Sequence, residues 1–162
     1  MKKLLILLTV MGIGFGSLAQ EPVSPYLKTK KLPAFSLLNI DSVAFTQTAL
    51  SKEKPVIIML FNPECGHCKD QLRLLLKMPE VTQAAQLVMA TTETLDKIKA
   101  FAETYNLANY PSIFIGRDKR SFWGGYFQPK TIPVLAFYDK DGNFKKLLQG
   151  GSKKKEILEA LK

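Results

Sequence analysis

The chain has 162 residues, 46% of them hydrophobic, and its 23 Lys and Arg outweigh 14 Asp and Glu for a formal charge of +9. A chain of this size makes one soluble domain whose core needs no staple, so a disulfide-stabilised mini-domain is excluded. The charge is spread along the sequence without an Arg-rich or aromatic-interleaved block, which argues against a nucleic-acid reader and for a solvated surface.

The first residues read as a targeting segment. Lys2 and Lys3 form a basic start, Leu4 to Phe15 is apolar, and Ser17-Leu18-Ala19 offers the small residues that a signal peptidase prefers. Residues 1–19 are therefore expected to be a cleaved signal peptide, too short for a membrane span, with an uncleaved anchor as the alternative. No cysteine stands directly after the cut, which argues against a lipid anchor. Export would place the mature chain in the periplasm or outside the cell, where disulfides form and persist.

Residues 20–33, with three prolines and Lys28, Lys30 and Lys31, are expected to be an extended lead-in with little packing of its own. The domain proper is expected over 34–162. Ala34 to Phe45 suggests two short strands turning at Asn39 to Asp41, and Thr46 to Leu50 one helical turn. Pro55 then opens Val56 to Phe61, six apolar residues without alternation, the pattern of a strand buried on both faces at the centre of a sheet covered by helices.

Directly after this run comes Cys65-Gly66-His67-Cys68, which holds both of the chain's 2 cysteines. A pair with this spacing at the first turn of a helix puts the first sulfur near unpaired backbone N–H groups and the positive end of the helix dipole, and both favour thiolate over thiol. Cys65 is then the nucleophile. Leu72, Leu75 and Leu76 continue the helix until Pro79 ends it.

A strand over Leu87 to Ala90 and a helix from about Leu95 follow, with Leu95, Ile98, Phe101, Ala102 and Tyr105 facing the core. Ser112 to Ile115 is a further strand. Arg117 to Gln128 reads as an irregular or partly helical connection, whose Phe122, Trp123, Tyr126 and Phe127 serve packing rather than a substrate platform. Thr131 to Tyr138 is a strand with proline near its beginning, and Asp141-Gly142 turns it into an antiparallel partner over Phe144 to Leu148. A last helix is expected to be capped by Ser152 and to bury Ile157, Leu158 and Leu161. Lys153, Lys154 and Lys155 in its first turn oppose the helix dipole and read as a screened charge run.

The order strand, CxxC helix, strand, helix, connection, strand, hairpin and terminal helix resembles the thioredoxin fold: an α/β architecture with a central mixed sheet flanked by helices. Cys65 to Cys68 match its redox motif, and Thr131-Ile132-Pro133 matches its signature loop, whose proline is cis. The spacing between them is similar to the exported TlpA/ResA-type branch of thiol-disulfide oxidoreductases. The resemblance implies that Cys65 attacks a substrate disulfide, that Cys68 resolves the mixed disulfide and leaves a Cys65–Cys68 disulfide, and that Ile132 and Pro133 present backbone to the substrate chain. It also implies cysteine-containing envelope proteins as partners, a membrane thiol reductase as electron donor, and no cofactor.

Gly66-His67 is the dipeptide of protein disulfide isomerases. A donating or protonated His67 would favour the Cys65 thiolate and make the pair more oxidising. The group's usual direction is reduction, so the two clues conflict and reduction is favoured slightly. Glu64 stands where many relatives have Trp, and its carboxylate should oppose thiolate formation by like charge. It is read either as a proton relay or as surface variation. Many thioredoxins bury an acid six positions before the first cysteine, where this chain has Met59, which leaves Glu64, His67 or water to take the Cys68 proton. An alternative class is a soft-metal module holding Cu(I) through Cys65, His67 and Cys68, although the wider ligand spacing of copper-delivery relatives is absent. An inert staple is a poor use of so short a loop. A peroxidase is disfavoured because its Pro-x3-Thr-x2-Cys pattern is missing.

Overall fold

The computed structural model describes residues 23–162, so the expected signal peptide at 1–19 lies outside the described residues. A seven-stranded mixed sheet runs in the order β2-β1-β5-β4-β3-β6-β7. Its strands are β1 (Ser36–Leu38), β2 (Ala44–Thr46), β3 (Val56–Leu60), β4 (Gln86–Thr91), β5 (Ile113–Arg117), β6 (Val134–Tyr138) and β7 (Phe144–Gln149). The helices are α1 (Pro25–Thr29), α2 (Gly66–Leu76), α3 (Pro79–Thr82), α4 (Leu95–Thr104), α5 (Phe122–Phe127) and α6 (Lys154–Leu161). This is the expected α/β arrangement, and no helix among the described residues is long and apolar enough to cross a membrane.

The unbroken apolar run explains the position of β3. It pairs parallel with β4 and antiparallel with β6, and all of its residues are buried. Successive side chains leave a strand on opposite faces. Ile57 and Met59, with Phe61 just beyond, meet Leu72 and Leu75 of α2, Phe101 of α4 and Ile157 of α6. Val56, Ile58 and Leu60 meet Trp123 and Phe127 of α5 on the other side. Burying each such aliphatic side chain contributes about 1.5–3 kcal/mol, so this strand fixes both layers at once.

Three expectations are corrected. The lead-in is not simply extended: Pro25 opens α1, and Tyr26 packs edge-on against Phe144 at 5.2 Å and tilted against Phe127 at 5.6 Å. Proline suits a first helical turn because its missing N–H has no partner there. The same rule applies to Pro79, which does not merely follow the end of α2 but starts α3. The cap of α6 is Lys153 rather than Ser152, and the Glu156 carboxylate accepts the Lys153 N–H at 2.8 Å. Ser152 instead donates its N–H to the buried Gln71 Oε1 at 2.6 Å, tying α6 to α2. Glu156 also supplies a negative charge in the first turn, which offsets part of the conflict between the lysines and the dipole.

Candidate active site

The carboxyl end of β3 is where the chain turns into α2. Asn62 shapes that turn: its Oδ1 accepts the Glu64 N–H at 2.7 Å and its carbonyl accepts the Cys65 N–H at 3.1 Å. Cys65 is thereby left at the N-cap of α2 in extended backbone, φ −73° and ψ 119°. Its sulfur accepts the Cys68 N–H at 3.3 Å, the position at which a Ser or Asp oxygen usually satisfies an orphan donor. An anionic sulfur gains more from that donor than a neutral one does.

The two thiols are free and differ sharply in environment. Cys65 is half-buried, whereas Cys68, one turn into α2, has no exposed surface. Burial, reinforced by the neighbouring Cys65 sulfur, pushes the Cys68 thiol up from 9.0 to about 12. One sulfur is thus accessible and hydrogen-bonded from the helix, and the other is held neutral.

Pro133 reaches the same end of the sheet through strand register. Leu60 pairs with Val134, so Pro133 continues the antiparallel β3–β6 register opposite Phe61. The Ile132–Pro133 peptide is cis, and β6 begins one residue later than Pro133 rather than at Thr131, since proline has no N–H for the ladder. Ile132 and Cys65 pack against one and the same core cluster. A cavity of about 220 Å³ opens beside Ile132, with Phe61, Asn62, Thr92, Trp123 and Gly124 in its walls.

His67 is exposed in the first turn of α2. Among the described residues no group of three or more His, Cys, Asp and Glu side chains is placed to hold a metal ion; Cys68, three positions after the half-buried Cys65, is sealed in the core. Glu64 is paired with a residue of α4. Lys97 Nζ of α4 lies 3.0 Å from its Oε1 and 3.1 Å from Glu93 Oε2, and Asn62 Nδ2 donates to Glu93 Oε1 at 2.8 Å. Asn62, Glu93 and Lys97 carry no motif and were invisible in the sequence. Met59, at the position where an acid was sought, is fully buried in β3.

An accessible sulfur capping a helix, a buried sulfur one turn later and a proline loop across the sheet end define a thioredoxin-like protein with a CxxC site. The chain belongs to the AhpC/TSA family, which it matches over residues 29–155. It is 30% identical over 114 residues to a protein disulfide-isomerase of Ricinus communis, covering 65% of this chain and 22% of that one. The chain spans about a fifth of the length of the curated relatives it matches. Among solved structures it superposes on a secreted disulfide oxidoreductase of Mycobacterium tuberculosis homologous to E. coli DsbE, with TM-score 0.63, 20% identity, and coverage of 78% of this chain and 93% of that one. StoA of Bacillus subtilis gives TM-score 0.60 at 15% identity, over 80% and 97% of the two chains. These structural likenesses bear on the fold alone.

Proposed function

We propose that the protein is a thiol-disulfide oxidoreductase that exchanges a Cys65–Cys68 disulfide with cysteines of partner proteins. The single observation carrying this reading is the asymmetry of the pair: Cys65 is half-exposed and accepts a helix N–H, while Cys68 is sealed and held neutral. In the reducing direction the Cys65 thiolate attacks one sulfur of a substrate disulfide, forming a mixed disulfide and releasing the other substrate sulfur, which takes a proton from water. Cys68 then gives its proton to water and attacks the Cys65 sulfur, breaking the mixed disulfide, and the released substrate thiolate takes a proton from water in turn. The products are the second substrate thiol and a Cys65–Cys68 disulfide, with two electrons passed to the substrate. A donor thiol then reduces the pair.

Ile132 and Pro133 would line the substrate chain beside the cavity, and His67 would tune the thiolate from the helix surface. Glu64 is better placed as the partner of Lys97 than as a proton relay. We assign the chain to the exported TlpA/ResA-like branch, with a cleaved leader at 1–19, periplasmic or secreted location, cysteine-containing envelope proteins as substrates and a membrane thiol reductase as electron source. The apolar segment ending in Ser17-Leu18-Ala19 and the spacing from Cys68 to Pro133 support that assignment. Reduction is slightly favoured over oxidation or isomerisation.

Mature protein with dithiothreitol should reduce insulin disulfides, and Cys65→Ala should abolish the turnover. Undiminished turnover in Cys65→Ala would overturn the reading. The reduction potential against glutathione sets the direction: a value near the −270 mV typical of thioredoxin marks a reductase, and one near about −120 mV an oxidant.

A further inference from the structure

The loop that delivers Cys65 is closed into a ring of polar contacts. Asn62 Oδ1 accepts the Glu64 N–H at 2.7 Å, Asn62 Nδ2 donates to Glu93 at 2.8 Å, Glu93 meets Lys97 at 3.1 Å, and Lys97 returns to the Glu64 carboxylate at 3.0 Å. Pro63, between Asn62 and Glu64, is buried, and Cys65 follows Glu64 directly. One ammonium group therefore serves two carboxylates, of which Glu64 is the nearer in sequence to the attacking sulfur.

We propose that Lys97 is a positioning residue for the Cys65 thiol: it draws the Glu64 carboxylate onto α4, offsets part of its charge and fixes the loop preceding the sulfur. This rests on the reading of Cys65 as the attacking thiol. A carboxylate one residue from a thiolate destabilises it, and an ion-paired carboxylate does so far less. Hydrogen bonding to Glu64, then to Glu93, raises the proton affinity of Lys97, which keeps its ammonium charged. An isolated exposed ion pair would be worth little, but here the second carboxylate and Asn62 fix the geometry.

The other charged groups around the ring are few. Lys69 and Arg73 of α2 line the groove shared with Glu64 and Lys97, and Arg73 is occupied by Asp70 at 2.7 Å. His67 lies on the exposed first turn of α2. Glu64 is thus the one carboxylate adjacent in sequence to Cys65, and Lys97 is its partner.

The test is the rate at which iodoacetamide alkylates Cys65 in the reduced full-length protein at neutral pH, followed by peptide mass spectrometry, with a melting curve for each variant. Lys97→Met should slow alkylation about threefold, the effect of one uncompensated and partly screened charge. Lys97→Arg should leave it unchanged. The double variant Lys97→Met with Glu64→Gln should return to the wild-type rate even if its melting temperature stays low, which a purely structural role of Lys97 does not produce. An unchanged rate in Lys97→Met, or a double variant as slow as the single one, would overturn the proposal. Insulin turnover is read separately: its absence with the alkylation cycle intact removes the exchange activity and leaves the role of Lys97 standing.

Discussion

The sulfur of Cys65 accepts the backbone N–H of Cys68 at 3.3 Å, so the half-buried cysteine of the motif and the sealed one share one hydrogen bond. The partner's own sulfur is shut in the core and pushed up to about 12. Below an unfolded value of 9.0 both states keep the Cys68 proton, and this group makes no difference. Above it the unfolded chain sheds the proton while the folded chain retains it, so the unfolded state binds fewer protons and stability falls as pH rises through the window from 9.0 to about 12. At about pH 10, about one unit above the unfolded value, the loss is on the order of 1 kcal/mol. Denaturant unfolding of the reduced protein at neutral pH and at about pH 10 should show it, and reduced Cys68→Ala should lose correspondingly less. Equal losses in both proteins would contradict it.

Gly116 holds β1 against β5. A Cβ there would sit 2.8 Å from the Leu38 carbonyl oxygen and 2.9 Å from Leu37 Cβ, atoms that cannot move without the strand. Gly116→Ala is expected to cost about 1–3 kcal/mol by overpacking, measured by denaturant titration. Gly66→Ala, where a Cβ meets nothing within 4 Å, should leave stability nearly unchanged.

Tyr126 anchors the amino-terminal helix to α5. Its hydroxyl donates to the Lys31 carbonyl at 2.9 Å and contacts Thr29 Oγ1 at 2.7 Å. Tyr126→Phe keeps the ring packed among Phe122, Trp123 and Phe127 but removes both contacts. Faster amide hydrogen exchange over residues 25–31, with β3 and β4 unchanged, is expected, together with a loss of about 1 kcal/mol. Uniformly faster exchange across the sheet would show that the hydroxyl supports the core instead.

The parts of the fold written in local pattern were legible. The run Val56 to Phe61 announces a strand covered on both faces, Asp141-Gly142 announces the β6–β7 hairpin, and the cysteine spacing puts Cys65 at the start of a helix. Misreadings came where one residue serves two grammars. Pro25 sits in a proline-rich stretch that reads as extended and Pro79 marks a helix end, yet each opens a short helix. Ser152 has the chemistry of a cap, but the buried Gln71 takes its N–H and moves the helix start along the chain. The ring of polar contacts was illegible for a different reason. It joins Asn62 and Glu64 of the loop after β3 to Glu93 and Lys97 at the start of α4, and only tertiary packing brings those groups together.

The division of labour between the two sulfurs is tested most directly by trapping. Cys68→Ser, mixed with an oxidised protein substrate, should accumulate a covalent adduct whose reducible bond maps by peptide mass spectrometry to Cys65, because no second thiol remains to release it. Rapid turnover by Cys68→Ser with no adduct at Cys65 would contradict the account.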